Sequence, residues 1–227
     1  MTISIHQPNY LPWLGFFDKI KRSDKFVIFD NVQYPRGKNH FGNRNKIKIH
    51  NSSKWLTVPV LGKSQKLNFN QITYKNNGWK LEHLRLITIF YKDAPHFNTY
   101  YSSFEKILLE EYNTLSDLNV SLINYFLSIL DIKTEVILSS ELVEEDIAGA
   151  DRIITILEKL KATKYITGSG PGSIRYINEE DFKSRNIELS WQHYKHPVYN
   201  QLHGEFLPYM NILDLLFNVG PLSKYII

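Results

Sequence analysis

The sequence predicts an α/β fold: a mostly parallel sheet with flanking helices and a helical insertion. Three observations predict it. Apolar residues Ile3 and Ile5 are followed by helical spacing at Trp13, Phe16, Phe17 and Ile20 and then by a second apolar run, a β-α-β unit whose strands are most simply parallel. The same alternation returns between Lys133 and Gln192. Between the two lies a helix-rich segment at about residues 81–130, with apolar stripes at helical spacing.

In chain order, Ile3 and Ile5 mark the first strand, Trp13 to Lys21 a helix and Lys25 to Phe29 the second strand. Lys46 to Ile49, Lys54 to Val60 and Asn70 to Tyr74 read as further strands, with turn signals at Asn51-Ser52-Ser53 and Gly62-Lys63-Ser64. The helix Leu81 to Lys92 stops at Asp93-Ala94-Pro95, because the residue before a proline is pushed out of the helical region. Phe97 to Tyr112 and Leu115 to Leu130 complete the insertion. Lys133 to Leu138, Lys164 to Ile166 and Glu188 to Gln192 read as strands, alternating with helices at Asp151 to Lys161 and Glu179 to Ser184. A last helix, Ile212 to Phe217, ends near Asn218 with Gly220 as its stop. No linker rich in Pro, Gly or Ser interrupts the chain, so residues 1–227 are expected to form a single α/β domain.

At 43% hydrophobic and 22% charged, the 227 residues can bury one large core or two modest ones, which excludes a disordered or collagen-like chain. There is no Cys, so disulfides, thiolate catalysis and Cys-based zinc sites are excluded. No apolar run reaches the length of a membrane helix, and Met1 to Pro8 lacks the charge pattern of a secretory signal. A cytoplasmic location without membrane insertion is the expectation. The net charge is +4, but its distribution is uneven: from Asn31 to Leu81 there is no acidic residue and there are ten basic ones. That interval reads either as a surface for a phosphate-bearing partner or as a solvated face. Arg36 and Arg44 favour the first reading, because a guanidinium fork binds phosphate bidentately.

In a parallel sheet, ligands bind beyond the carboxyl ends of the strands. The segment His6-Gln7-Pro8-Asn9-Tyr10-Leu11-Pro12-Trp13 leaves the first strand with polar groups braced by two prolines. Asp30-Asn31-Val32-Gln33 leaves the second strand, and the turn Thr167 to Gly172, containing Ser169, leaves a later one. If these strands are neighbours, the loops share one pocket. His6 is then the candidate general acid/base and Asp30 the carboxylate that orients it, against the alternative of a buried structural pair. The glycines near Ser169 could let backbone N–H groups approach an anion, or form an ordinary surface turn. His193 and His196 form the only close histidine pair, with no carboxylate between them, and no metal site is predicted.

These motifs form an ordered series. His6-Gln7-Pro8-x-Tyr10-x-Pro12-Trp13-x-Gly15, Asp30-x-x-Gln33, Asn43-Arg44-Asn45-Lys46-Ile47, Trp55-Leu56-Thr57-Val58-Pro59-Val60, His83, the turn at Ser169 and Asp214-Leu215-Leu216-Phe217-Asn218 together resemble the WbqC-like family, essentially end to end. The resemblance implies bacterial surface polysaccharide or O-antigen synthesis. From residue type, catalytic His6 and Asp30 with Gln7, Tyr10, Gln33, Arg36, Arg44, Asn45, His83 and Ser169 are expected to line a site for a nucleotide-linked sugar. The expected enzyme is a transferase modifying an amino sugar with an acyl or aminoacyl donor, by direct transfer since no Cys or convincing Ser nucleophile is present. A nucleotidyltransferase-like enzyme and a non-catalytic RNA- or polysaccharide-binding module are the alternatives, with nucleic acid the less favoured partner. No cofactor is named by the residues, and neither is an oligomeric state.

Overall fold

The computed structural model describes residues 1–227 apart from Lys38, Lys63, Ser64, Asn76, Asn77, Glu145, Asp146, Ala148, Arg175 and Tyr176, and apart from the side chains of Pro171 and Gly172. The turn expected at Lys63-Ser64 and two of the ten basic residues thus lie outside the described residues. The elements are β1 (Thr2–His6), α1 (Leu14–Lys21), β2 (Lys25–Ile28), β3 (Arg44–Ile49), β4 (Ser52–Thr57), α2 (Gly78–Tyr91), α3 (Phe97–Leu109) and α4 (Leu115–Ile129). They continue with β5 (Glu135–Leu138), α5 (Gly149–Lys159), β6 (Lys164–Gly168), α6 (Pro171–Ile174), α7 (Glu179–Lys183), β7 (Glu188–Gln192), α8 (Ile212–Val219) and α9 (Ser223–Ile226).

Five strands form one wholly parallel sheet in the order β5-β2-β1-β6-β7, which bears out the α/β expectation. The register sets Ile3 against Lys25, Ile5 against Val27 and Ile3 against Tyr165. Because side chains alternate across a strand, Ile3, Ile5, Val27 and Tyr165 share one face, where Ile154 and Leu157 of α5 and Phe182 of α7 cover them. The opposite face carries Phe26 and Ile28 and packs on α1, on the helical insertion and on α8 through Phe16, Phe17, Phe126, Leu215 and Phe217. Both faces are covered, which is why β1 and β2 lack a regular solvent-facing polar stripe.

β3 and β4 stand apart as an antiparallel hairpin, with Lys46 opposite Trp55 and Arg44 opposite Thr57. The strand expected at Asn70 to Tyr74 is not formed. Phe69–Gln71 is a single 3-10 turn closed by reciprocal bonds between Asn68 and Gln71, and only Tyr74 bridges, to Val60. β-branched residues at Ile72 and Thr73 raised strand propensity there, but asparagine and glutamine side chains bonding to the local backbone won. α4 begins as its sequence suggests, with Thr114 and Asp117 forming a capping box.

The connection from β1 to α1 is buried, and its backbone groups are satisfied one by one. Asn119 of α4 donates through Nδ2 to Pro8 O (3.0 Å) and Gly42 O (2.7 Å), and Asn45 of β3 donates to Leu11 O (2.6 Å). Tyr10 N donates to Phe41 O (2.9 Å), and Ile212 N, at the start of α8, to Pro12 O (2.9 Å). Replacing Asn119 by Ala leaves two buried carbonyls unpaired at roughly 1–3 kcal/mol each. Asn119→Ala is therefore expected to lower stability by about 2–4 kcal/mol in urea denaturation, and an unchanged midpoint would show that these bonds do not hold the loop.

Candidate functional site at the switch point of the sheet

From β1 the chain winds outward to β2 and β5, then returns to the other side of β1 for β6 and β7. The connections that leave β1 and β6 therefore diverge, and the carboxyl ends of these two neighbours are where an open parallel sheet places its ligand crevice. His6 ends β1 and Gly168 ends β6. The sequence-predicted loops after β1, β2 and β6 do leave adjacent strands, all of them at this one edge.

The floor of this region is polar. Ser4 and His6 of β1 share a face with Ser190 and Gln192 of β7, as the pairings Ser4 with Ile166, Ile166 with Ser190 and Gly168 with Gln192 require. α1 lies over that face, with Phe16 in edge contact with the His6 ring at 5.1 Å. Its apolar stripe contains a lysine. Lys19 is only 3% exposed, and among the described residues its amine has no hydrogen-bond or ion-pair partner. Desolvation lowers the Lys19 pKa to about 7. Burial and the positive charge of Lys19 together hold His6 down at about 3, despite the bond between its Nδ1 and Gln7 O (2.9 Å).

Around this pair stand further polar groups. Gln192 Nε2 donates to Gly15 O (2.8 Å) and to Asp18 Oδ2 (2.6 Å), tying the end of β7 to α1. Ser169 Oγ donates to Gln192 O (3.1 Å). The Tyr194 hydroxyl is buried, has no partner among the described residues, and is raised above its ordinary pKa by burial and by Asp18. Trp13 stacks edge-on between Tyr194 (5.3 Å) and Tyr209 (5.6 Å), which brings the segment after β7 across the end of the β1 loop. Tyr194 lies in the Pro-containing segment that the sequence offers as able to close over a ligand or simply pack, whereas Lys19, Asp18 and Gln192 are not marked as site residues by the sequence. A lysine within the pattern Phe16-Phe17-x-Lys19-Ile20, on the buried stripe of a short helix, was the available signal.

The predicted residues separate into groups. His6, Gln7 and Ser169 lie at the crevice. The His6 to Asp30 pairing is not formed: Asp30 accepts from Ser139 Oγ (2.9 Å), Ser140 N (2.9 Å), Ser140 Oγ (2.6 Å) and Asn70 Nδ2 (3.4 Å), so its carboxylate stitches the end of β2 to the segment after β5. Adjacent strand ends brought the two residues near in the chain's topology, but β2 ends at Ile28, two residues before Asp30, and the serines of the segment after β5 supply the donors its carboxylate accepts. Tyr10 and His83 are buried and bonded to each other (2.9 Å) beside Trp79, with His83 lowered to about 4 by burial, so they are core groups and not lining residues. Asn45 is fully buried and spends its side chain on Leu11 O and Lys46 N. Gln33 and Arg36 are exposed in the segment after β2, and Arg44 stands on the outer face of the hairpin, opposite to the face Asn45 turns inward. Among the described residues no group of three or more His, Asp or Glu could hold a metal ion, and no helix is long and apolar enough to cross a membrane.

An open, wholly parallel five-stranded sheet with helices on both faces defines an α/β protein of the doubly wound kind. The chain belongs to the WbqC-like protein family, whose model matches residues 7–226. It is 36% identical over 221 residues to the uncharacterized protein Rv1507c of Mycobacterium tuberculosis (strain ATCC 25618 / H37Rv), covering 96% of this chain and 94% of that one. No solved structure gives a significant match. Membership of the family suggests a role in polysaccharide biosynthesis.

The lowered pKa values set a pH dependence. Between about pH 7 and the ordinary lysine value, the unfolded chain holds a proton on Lys19 that the native protein has released, so stability rises with pH across that window. Between about pH 3 and 6.5 the same holds for His6, whose contribution is lost as acid is added. Lys19→Met is expected to raise stability at pH 7 by about 1–3 kcal/mol and to flatten the rise from pH 7 to 9. Denaturation across that range checks both, and an unaltered pH slope would mean that the amine is not desolvated.

Proposed function

We propose that the chain is a transferase of polysaccharide biosynthesis that modifies a nucleotide-linked amino sugar in the crevice between β1 and β6, with an acyl or aminoacyl donor. The observation that carries this reading is the buried Lys19 side chain, whose amine has no partner among the described residues and is lowered to about 7 beside His6. A group that is half neutral near pH 7 accepts a proton far more readily than a free lysine would, and a general base works best with a pKa near the working pH. His6, lowered to about 3, stays neutral and is too weak a base for that work. With its Nδ1 bonded to the Gln7 carbonyl as donor, its Nε2 offers a lone pair to orient a substrate N–H.

In the proposed step, the sugar amine attacks the carbonyl carbon of the donor, forming the new N–C bond. Lys19 takes the proton the amine loses and returns it to the leaving group as the bond between carbonyl and carrier breaks. Gln7, Ser169, Gln192 and Tyr194 bind and orient the sugar, and Trp13 with Tyr209 shields the site from water. This supersedes the expectation that Asp30 positions the base, since Asp30 is committed to Ser139 and Ser140.

A thermal-shift screen of nucleotide-linked amino sugars, other nucleotides and acyl donors tests the reading, since a ligand that binds the native state raises the melting temperature. A nucleotide-linked amino sugar is expected to stabilise both the parent and Lys19→Met, while transfer by the folded variant falls roughly 10² to 10⁴-fold. Near-normal turnover in Lys19→Met would remove the lysine from the reaction. Pyrophosphate released from a nucleoside triphosphate and a sugar phosphate would assign nucleotidyl transfer in place of acyl transfer.

A further inference from the structure

The outer face of the β3/β4 hairpin carries cations and aromatics for which the crevice has no use. Alternation places Arg44, Lys46, Trp55 and Thr57 on one side of the hairpin, and Asn45, Ile47 and Leu56 on the other. The Arg44 guanidinium carbon lies 3.8 Å above the centre of the Trp55 ring, and the Lys46 amine 5.0 Å from it. Phe41 joins the group, its ring 6.0 Å from that of Trp55. Trp55 is 37% and Phe41 39% exposed, so part of each of these two large rings faces solvent.

The charges are equally unanswered. Among the described residues neither Arg44 nor Lys46 has an acidic side chain in ion-pair range, and the Arg44 Nε–H is buried without an acceptor. No acidic residue occurs anywhere from Asn31 to Leu81. The stacked guanidinium is held in place before any partner arrives, so it loses little further freedom on meeting an anion. The same stacking decides between partners. RNA bases need an open aromatic face, and the indole face here is already taken by Arg44, whereas a membrane interface needs only an amphipathic ring beside cations.

We infer that this face docks the protein onto an anionic phospholipid surface, Arg44 and Lys46 meeting lipid phosphates while Phe41 and Trp55 enter the headgroup region. The contact is peripheral, and it does not rest on the reaction assigned to the crevice.

Sedimentation of the full chain with vesicles tests it. Binding to vesicles of phosphatidylglycerol mixed with phosphatidylcholine is expected, with little binding to phosphatidylcholine alone and a steep loss with added salt. Arg44→Gln with Lys46→Gln should weaken partitioning about 25-fold, at about fivefold per cation, and Trp55→Gln alone should also weaken it if the double variant does not fold. Lys161→Gln with Lys183→Gln, on exposed positions elsewhere, should partition like the parent. The inference is overturned if the parent ignores anionic vesicles, if the control pair loses as much as the hairpin pair, or if single-stranded RNA binds this face while vesicles do not.

Discussion

A strand-to-helix connection that runs through the interior must have each of its peptide groups paired, and this constraint organises the molecule. Water cannot reach the carbonyls of Pro8, Leu11 and Pro12, and the two prolines offer no N–H of their own. The acceptors are satisfied from three separate parts of the chain: Asn119 of the helical insertion, Asn45 of the hairpin and the first turn of α8 at Ile212. Each bond left unmade would cost about 1–3 kcal/mol, a large share of the ~5–15 kcal/mol that holds a domain folded. The hairpin, the insertion and the last long helix are thus fixed to the same seven-residue connection, and the end of β1 is held where the crevice opens.

Buried carboxylates serve the same end elsewhere. Asp214 lies fully buried in α8 and accepts from Tyr91 (2.8 Å), Tyr199 (2.8 Å) and Gln201 (2.7 Å), joining α8 to α2 and to the segment that follows β7. Tyr91 in turn accepts from Lys48 N, which ties in the hairpin. Burial raises the Asp214 pKa, with the three donors and nearby Lys48 opposing the rise. Asn218 closes the helix by donating to Asp214 O and accepting from Leu202 N, before Gly220 takes a positive φ of 67° that other residues rarely adopt. Asp30 is spent in the same manner on Ser139 and Ser140.

Lys19 is a buried cationic side chain on the apolar stripe of α1. Among the described residues its amine has no partner, and it lies next to an imidazole whose pKa its charge lowers. Polar groups kept in that condition cost stability, and they concentrate where a shifted pKa serves chemistry. The cost is local, because α1 is otherwise anchored by Phe16, Phe17 and Ile20 in the apolar cluster.

The sequence alone determined the fold class and most of its elements, because alternation at Ile3 and Ile5 and helical stripes such as Leu118, Leu122, Ile123 and Phe126 are properties of neighbouring residues. It determined the family as well, and it pointed to the ends of β1 and β6 as the place for a ligand. The tertiary structure decided which polar residues are spent on holding the fold and which are left over. Tyr10, Asp30, Asn45 and His83 have the composition of a site but lie where their side chains answer one another or the backbone. Lys19 has the composition of a solvated helix face but lies buried on α1, with no partner for its amine among the described residues. Partners for a side chain are supplied by elements distant in the chain, such as Ser139 for Asp30 across 109 residues, and spacing within one segment carries no record of them.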